Sequence, residues 1–376
     1  MTERLIITSS SEIVLKSPTV RRFMENRLRR QVRDALRRKG IRHVYITKGG
    51  GRTYVCCSDP EAALQLILRI PGIDFASIAF RTEPDISLMC NAATECLAAS
   101  LSVGQSFAVR AKVVDNKALS KKEIEIRVGQ AILDRLADKA LRVNLDSPDK
   151  TAYVEVRGAD AFVYSDIRDG SGGLPVGTQG KMLGIFSDVA LSAVASWMML
   201  RRGALIIPVC LEAQRDQSSV PLATIANSLS RFREWVPVPR LVALILRTEG
   251  VLRRINEMTT ENVSKLVYLG SILRALDAIA TEEGALGVVV ANRTMLDPAI
   301  ISRCRTPIYQ PLIGLDEREL EKYISILGIG PGQVHEPHGL LAECAEKVPD
   351  LALLLDDREL QDEVMSMAKN RETLIL

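Results

Sequence analysis

The chain has 376 residues, of which 47% are hydrophobic and 25% are charged, and this composition excludes a disordered or collagen-like protein. At roughly 150 residues per domain, the length predicts two or three domains. No apolar run reaches the roughly 18 residues of a membrane span, and there is no C-x-x-C pair. The first residues lead straight into a strand pattern, so we expect no secretory leader. We therefore expect a cytoplasmic protein without a membrane segment, a disulfide framework or a metal site.

The net charge of +3 is unevenly distributed along the chain. Residues 1–180 contain 28 Lys and Arg against 21 Asp and Glu, whereas residues 181–376 contain 21 against 25. Between residues 16 and 48, twelve basic residues accompany only Glu25 and Asp34. This asymmetry favours a polyanion bound to the first half. Because aromatic residues make up only 4%, an RNA would be contacted through backbone and shape rather than stacked bases.

The first elements along the chain, within residues 4–57, are predicted to be a strand, a basic helix and a β-hairpin. The helix begins after Ser17 as N-cap, with Pro18 in its first turn, and ends at Gly40. Its predicted buried stripe is Val20, Met24, Leu28, Val32 and Leu36, and its opposite side carries Arg22, Arg29, Arg33 and Arg37. Glu25 is the single acidic residue at i,i+4 spacing from any of these arginines, and it could balance only Arg29, so a phosphate-contacting face is favoured over an ordinary solvated one.

Helices and strands alternate through the remainder of the first half. The predicted helices are 61–69, 85–101 and 120–139, and the predicted strands are 75–80, 106–113, 151–157 and 161–165. Five glycines between Gly170 and Gly180 then predict a hinge or a phosphate-contacting loop. A Walker phosphate loop is excluded, because the spacing to Lys181 is wrong and Met182 replaces its Ser or Thr.

After Gly180 the pattern becomes buried strand followed by helix. The predicted strands are 181–186, 204–210, 241–246 and 285–290, and the predicted helices are 191–202, 217–233, 262–282 and 315–326. This order predicts a Rossmann-like doubly wound parallel sheet with its ligand site at the carboxyl ends of the strands. The predicted fold class is therefore α/β throughout.

Four segments together carry a resemblance to one known family. They are Ser11–Lys16 with Arg21-Arg22-Phe23, Asn144–Asp149 with Val154–Arg157, Gly172–Lys181, and Pro311–Asp316. They resemble the "EIxLK…R..F" opening, the end of the THUMP domain, the interdomain junction and the "PLIGxDK" segment of the tRNA 4-thiouridine synthetases, also called tRNA sulfurtransferases. The resemblance covers nearly the whole chain and is patchy after residue 212.

The resemblance implies a domain order and an activity. An N-terminal ferredoxin-like domain (1–60) and a THUMP domain (61–167) would hold tRNA, and a glycine-rich linker (168–180) would lead to a PP-loop ATP pyrophosphatase domain (181–376) of the adenine nucleotide alpha hydrolase type. In that family the PP-loop domain adenylates a uridine, and a persulfide sulfur displaces the activated oxygen. The RNA-facing residues that it implies are Lys16, Arg21, Arg22, Arg110, Lys112 and Lys117, and the helix pattern adds Arg29 and Arg33.

The adenylation loop departs from the family pattern. The family has S-G-G-x-D-S after the first strand of the sheet, whereas this chain has Ser187, Asp188, Val189, Ala190, Leu191 and Ser192. Glycines let backbone N–H groups approach phosphate oxygens, and β-branched Val189 cannot replace them cheaply. Asp188 would repel the phosphates by about 4 kcal/mol per contact at ~4 Å and an effective dielectric constant of ~20. Leu191 also removes a carboxylate that could help to hold Mg²⁺. In addition, Val290–Thr294 stands where the family has a "TGES" turn.

The thiol that would accept sulfur is not defined by its motif. Cys344 is the one cysteine near the position that the family uses, but the D-C-C context is missing, and a buried structural role is the simpler interpretation. Cys304, between two arginines, would have a lowered pKa if exposed, although its context suggests a helix end. His335 and His338 are interpreted as loop residues, since no cysteine cluster accompanies them.

Three functions follow from these patterns. The first is a tRNA-binding member of the family with a degenerate ATP site, which needs no cofactor. The second is an active ATP-dependent tRNA sulfurtransferase that uses ATP and Mg²⁺ and receives sulfur from a sulfur carrier or a cysteine desulfurase. The third is a structural subunit that keeps only the fold. In each case a homodimer is compatible with the sequence.

Overall fold

The computed structural model describes residues 3–49, 51–98, 100–186, 190–212, 222–259, 261–329 and 351–376. The chain divides into two compact units, one ending at Gly172 and the other beginning at Gly173. No described helix is long and apolar enough to cross a lipid bilayer. The division falls within the predicted glycine-rich linker 168–180.

The first unit is built around a curved sheet. Its strands are β1 (Glu3–Ser9), β2 (His43–Gly49), β3 (Arg52–Cys57), β4 (Phe75–Thr82), β5 (Ser106–Val114), β6 (Arg142–Val143), β7 (Lys150–Arg157), β8 (Asp160–Tyr164) and β9 (Arg168–Asp169). Its helices are α1 (Ser11–Val14), α2 (Pro18–Arg38), α3 (Pro60–Leu68), α4 (Ile86–Ala98) and α5 (Lys121–Arg135), with a 3-10 turn at Ala137–Lys139.

Among the described residues, these strands form one continuous sheet in the order β2-β3-β1-β4-β8-β7-β5-β6, with β9 also paired to β4. Strand β4 pairs antiparallel with β1 on one side and with β8 on the other. Strand β4 therefore joins the strands of the ferredoxin-like part to those of the THUMP part through backbone hydrogen bonds.

The two faces of this sheet differ in what covers them. Alternate residues of β5, β7 and β8 pack in one hydrophobic cluster with α4 and α5. The opposite residues form a second cluster that contains no helix residue: Leu5, Ile7, Tyr54, Ala79, Phe162 and Tyr164. The sheet is curved toward this second face, because Arg52 of β3 reaches Glu155 of β7 although β1, β4 and β8 lie between these strands. We call it the concave face.

The second unit is a Rossmann-like layered α/β structure. Its strands are β10 (Lys181–Phe186), β11 (Leu205–Glu212), β12 (Val242–Arg247), β13 (Val288–Val289), β14 (Ile308–Tyr309) and β15 (Glu372–Ile375). Its helices are α6 (Leu191–Arg201), α7 (Leu222–Arg233), α8 (Glu249–Met258), α9 (Glu261–Glu283), α10 (Pro298–Ile301), α11 (Glu317–Leu327), α12 (Leu351–Leu355) and α13 (Arg358–Lys369).

Within the described part of the chain, the strand order is β14-β13-β10-β11-β12-β15. The first five strands are parallel, as the sequence predicts, and two hydrophobic clusters contain helices of the second unit. The departure is β15, which joins β12 antiparallel at the edge. From β10 the chain adds β11 and β12 on one side of the sheet, and it then adds β13 and β14 on the other side of β10. The strand order therefore reverses between β10 and β13. In such sheets a ligand binds outside the carboxyl ends of the strands at this switch point.

Candidate functional site

The basic helix α2 buries a slightly different stripe from the predicted one. Met24, Leu28, Val32 and Leu36 are buried, but Val20 is 41% exposed. The inclusion of Val20 was therefore wrong. An α-helix turns by about 100° per residue, so a strict four-residue repeat drifts by about 40° at each step. Over the sixteen residues from Val20 to Leu36, this drift carries the first position away from the core.

The outward side of α2 is strongly cationic. Arg22, Arg30 and Arg37 are exposed, and Arg29 and Arg33 are partly exposed. None of these five arginines forms an ion pair with another described residue. Arg30 is not among the predicted residues, although its place seven residues before Arg37 puts it on the same side of the helix. The face therefore presents uncompensated guanidinium groups that can contact phosphates.

Two predicted cations at this end of the first unit differ in their environment. Lys16 is exposed just before α2. Arg21 instead donates to Glu25 at 2.8 Å, and Lys48 of β2 donates to the same carboxylate at 2.9 Å. Burial opposes ionisation of Glu25, but these two hydrogen bonds hold its pKa below the usual value. Arg21 is therefore already neutralised in part and is a weaker phosphate contact than Arg22.

His43, at the start of β2, lies close to the C-terminal half of the arginine face. Partial burial and the nearby charges of Arg33 and Arg37 lower its pKa below the ordinary value of 6.5. Burial and these arginines therefore both disfavour the charged form of the imidazole.

The other predicted RNA-facing residues lie on a different surface. Arg110 and Lys112 alternate along β5 with Val109 and Ala111, which pack against α4 and α5, so both cations point to the concave face. Arg110 donates to the carbonyl of Leu145, and Lys117 is exposed after β5. In the sheet order β5 is six strands from β2, but the curvature brings Val114 and Asp115, at the end of β5, to a cavity that Tyr45 and Lys48 of β2 also line. Arg110 and Lys112 therefore belong to the concave face, whose hydrophobic cluster contains no residue of α2.

The glycine-rich segment is a packed connection. The N–H of Leu174 donates to the carbonyl of Arg201 at 2.9 Å, and the N–H of Gln179 donates to that of Gly203. Gly173 has a φ of +78°, and a Cβ there would lie 2.0 Å from the Arg201 oxygen, so only glycine is accommodated. The segment caps the C-terminal end of α6, where the helix dipole is negative. These N–H groups are therefore used within the protein, and the two alternatives for the segment, a hinge or a phosphate-contacting loop, stay predictions.

The switch point of the second unit is bordered by β10, the start of α6 and the end of β13. Ser187, Asp188 and Val189, predicted to form a degenerate nucleotide loop, lie outside the described residues. Leu191 is only 6% exposed and belongs to a hydrophobic cluster with helices α7 and α11, and Ser192 is 1% exposed. The Leu191 side chain therefore packs into the protein, where an aspartate would be a buried charge.

Cations at the carboxyl ends of the neighbouring strands are already engaged. Arg247, the last residue of β12, lies 3.5 Å from Glu212 and 2.6 Å from Glu372. Arg293, four residues after β13, forms a 2.6 Å ion pair with Glu317 of α11. These arginines would have to exchange a carboxylate for a phosphate in order to hold a nucleotide.

None of the described cysteines lies in surroundings that lower its pKa. Burial raises the pKa of all six: Cys56, Cys57, Cys90, Cys96, Cys210 and Cys304. Cys304 lies just after α10, partly buried, with a pKa of about 11. The alternative of an exposed, nucleophilic Cys304 was therefore wrong. Cys344, His335 and His338 lie outside the described residues. The described part of the chain contains no group of His, Cys, Asp and Glu that could hold a metal ion.

Comparison with family models divides the chain into three matched regions. Residues 5–77 match the ThiI ferredoxin-like domain, residues 83–166 the THUMP domain, and residues 177–330 the model described as thiamine biosynthesis protein (ThiI). The first match extends through α3 into β4, beyond the boundary predicted at residue 60.

Curated relatives are similar over most of the chain. The protein described as "Probable tRNA sulfurtransferase" from Methanosarcina mazei is 30% identical over 329 residues, which are 84% of this chain and 80% of the relative. A protein of the same description from Thermococcus kodakarensis is 29% identical, with 84% of this chain and 85% of the relative covered.

Two solved structures share the fold. A crystal structure of a 4-thiouridine synthetase–RNA complex with bound ATP superposes with a TM-score of 0.83 at 23% identity, over 100% of both chains. The protein PH1313 from Pyrococcus horikoshii superposes with a TM-score of 0.67 at 24% identity, covering 86% of this chain and 99% of that one.

The fold and the matched regions define a protein with a ferredoxin-like and THUMP first unit and a PP-loop second unit. The resemblance and the fold class inferred from the sequence are confirmed. The chain belongs to the tRNA sulfurtransferase family.

Proposed function

We propose that this protein binds tRNA through its first unit and that its second unit does not carry out adenylation. The observation that carries RNA binding is the outward face of α2, on which five arginines have no ion-pair partner among the described residues. Retaining so much unbalanced charge on one helix is costly unless an anion lies against it. In this family, whose relatives are described as tRNA sulfurtransferases, that anion is the phosphate backbone of tRNA.

The degenerate-site half of the proposal is supported by the loop sequence and by its surroundings. Asp188 and Val189 stand where glycines would cradle phosphate, and Leu191 packs in the hydrophobic cluster. Arg247 and Arg293, at the carboxyl edge of the sheet, are paired with carboxylates. A triphosphate would therefore be repelled by the Asp188 carboxylate and would lack the N–H groups that loop glycines expose. It would also find Arg247 and Arg293 already paired with carboxylates.

The second candidate is an active ATP-dependent tRNA sulfurtransferase. The whole-length fold similarity to the 4-thiouridine synthetase solved with RNA and ATP favours it. That function would require ATP and Mg²⁺ at the 187–192 loop, a thiol such as Cys344, and a sulfur carrier or cysteine desulfurase as donor.

Salt-dependent binding of a tRNA transcript tests the RNA contact. We expect affinity to fall steeply with salt, because each neutralised phosphate contributes about −0.7 to −0.9 to the slope of log K against log salt. The double variant Arg22→Glu with Arg29→Glu should bind more weakly at fixed salt and give a slope shallower by about 0.7 to 0.9 for each lost contact.

A matched control exists on the second unit. Arg318 and Lys322 are exposed on α11 at i,i+4 spacing, so Arg318→Glu with Lys322→Glu makes the same net charge change away from α2. This control should leave the slope unchanged. Equal losses from both double variants would contradict the assignment of the α2 face, because only net charge would then matter.

A further inference from the structure

A single large aromatic ring lies within the arginine face. Phe23, in the second turn of α2, is 55% exposed, whereas the aromatic residues of the concave-face cluster, Tyr54, Phe162 and Tyr164, are buried. Burying a phenylalanine normally contributes about 1.5–3 kcal/mol, so a ring left in water on a stable helix is a candidate contact.

Helical geometry defines the neighbours of this ring. Asn26 follows Phe23 by three residues and Arg30 by seven, so all three lie along one line of the outward face. Arg30 is exposed, and the Asn26 amide makes no hydrogen bond to another described residue. An aromatic plane, a free amide and a guanidinium group thus follow one another within about 10 Å.

We propose that Phe23 is a base-stacking contact, on which an unpaired nucleobase of the bound RNA lies while neighbouring arginines hold the phosphates. It is an exception to the contact through backbone and shape that the low aromatic content of the chain predicts. This inference rests on the proposed tRNA binding and adds what the arginines cannot supply, a preference for unpaired over fully paired RNA. Aromatic side chains stack on bases whatever their sequence, and an amide next to the ring can hydrogen-bond a base edge. The arginines on the same face of α2 favour an anionic partner.

The test compares two RNA probes of equal stem sequence, a blunt-ended duplex and the same duplex with one unpaired 2-aminopurine. For the unmodified protein, binding should quench the 2-aminopurine fluorescence, as stacking does. Phe23→Ala should abolish the quenching and weaken binding of the unpaired probe by about 5- to 100-fold. Its salt slope should stay unchanged, since no phosphate contact is lost.

Two further variants make the outcome specific. Phe23→Trp should restore both the quenching and the affinity, whereas Tyr309→Ala, which removes a 37% exposed ring from the second unit, should change neither. Base stacking would be overturned if Phe23→Ala lowered the affinity for both probes to the same extent. A changed salt slope of this variant would overturn it as well. Sedimentation of the unmodified protein and of Phe23→Ala provides a further check. If the unmodified protein self-associates and the variant does not, Phe23 contacts a second copy of the chain and base stacking is overturned.

The same data separate this inference from the function on which it rests. If Arg22→Glu with Arg29→Glu lowers the affinity for both probes but Phe23→Ala lowers the affinity for neither, base stacking is wrong and RNA binding stands. If neither substitution weakens either probe, α2 does not bind RNA and both proposals fail.

Discussion

At the scale of single residues, Leu191 lies in the hydrophobic core at the position where the family pattern has an aspartate. Its side chain is 6% exposed in a cluster that includes Trp197 and Phe232. An aspartate at this position would place an unpaired carboxylate among apolar groups. We therefore expect Leu191→Asp by itself to destabilise the protein, and the proposed loss of nucleotide binding is better tested at Asp188 and Val189.

Calorimetric titration with ATP·Mg tests this view of the loop. We expect no specific binding at millimolar nucleotide, since a dissociation constant of 1 mM corresponds to only about −4 kcal/mol and one carboxylate beside the phosphates offsets that much. Asp188→Gly with Val189→Gly should recover measurable affinity, because both the repulsion and the β-branched obstacle are removed. A micromolar isotherm from the unmodified protein would instead favour the active sulfurtransferase.

Substituting Leu191→Asp should destabilise the protein by about 4 kcal/mol or more, as expected for an unpaired buried charge. Chemical denaturation of the full chain measures the change. Leu286→Asp is the matched control, because Leu286 is 59% exposed in the same unit and its substitution should change stability by about 0.5 kcal/mol or less. Similar effects at the two positions would mean that Leu191 is not part of the core.

At the scale of elements, a buried carboxylate connects distant strands of the first unit. Glu155 of β7 is 3% exposed and accepts from Arg157 at 2.8 Å, from Tyr164 of β8 at 2.8 Å, and from Arg52 of β3. Arg52 also lies over the Phe75 ring of β4, at 4.8 Å from its centroid. These contacts hold β3 and β7 together across the concave face and so maintain the curvature of the sheet.

Removing this carboxylate should be costly at neutral pH. Burial alone would raise the pKa of Glu155, but the hydrogen bonds and charge of Arg52, with those of Tyr164 and Arg157, lower it below the usual 4.5. A lowered pKa in the folded state contributes stability above the unfolded pKa, and this contribution disappears as the pH falls through the folded value. Glu155→Ala should therefore lower the free energy of unfolding by about 3–5 kcal/mol at pH 7, with a smaller difference below about pH 4.5.

Denaturant titrations at pH 7 and below pH 4.5 measure both effects. Glu61→Ala is the control, because Glu61 forms an ion pair with Arg4 in which both side chains are at least half exposed, and such pairs contribute about 0–1 kcal/mol. A Glu155→Ala penalty that does not decrease with falling pH would show that packing, rather than charge, is responsible.

At the scale of the whole molecule, the two candidate functions, tRNA binding without adenylation and active tRNA sulfur transfer, predict opposite cellular outcomes. If the second unit does not adenylate uridine, a strain that lacks this protein should keep the 4-thiouridine content of its tRNA. Mass spectrometry of nucleosides from purified tRNA measures this content, with 4-thiouridine normalised to an unrelated modified nucleoside. Loss of 4-thiouridine, restored by the unmodified gene but not by a Cys344→Ser variant, would instead support the active enzyme and the role of that thiol.

Much of the protein was determined by its sequence alone. The parallel strands β10 to β12, the Pro18 start and Gly40 end of α2, the basic first half and the family all follow from local pattern. These features depend on residues that are near one another in the chain, which is where periodicity, capping and turn preferences act.

Only the tertiary structure decided which of these residues lie together. It placed Arg110 and Lys112 on the concave face of the sheet, packed Leu191 into the core and left Phe23 in water. It also added the antiparallel edge strand β15, whose residues are all exposed and show no alternation. Each of these outcomes depends on strand order, sheet curvature and packing between distant segments. A local pattern cannot specify them, because hydrogen bonds between strands and the burial of side chains join residues that are far apart in sequence.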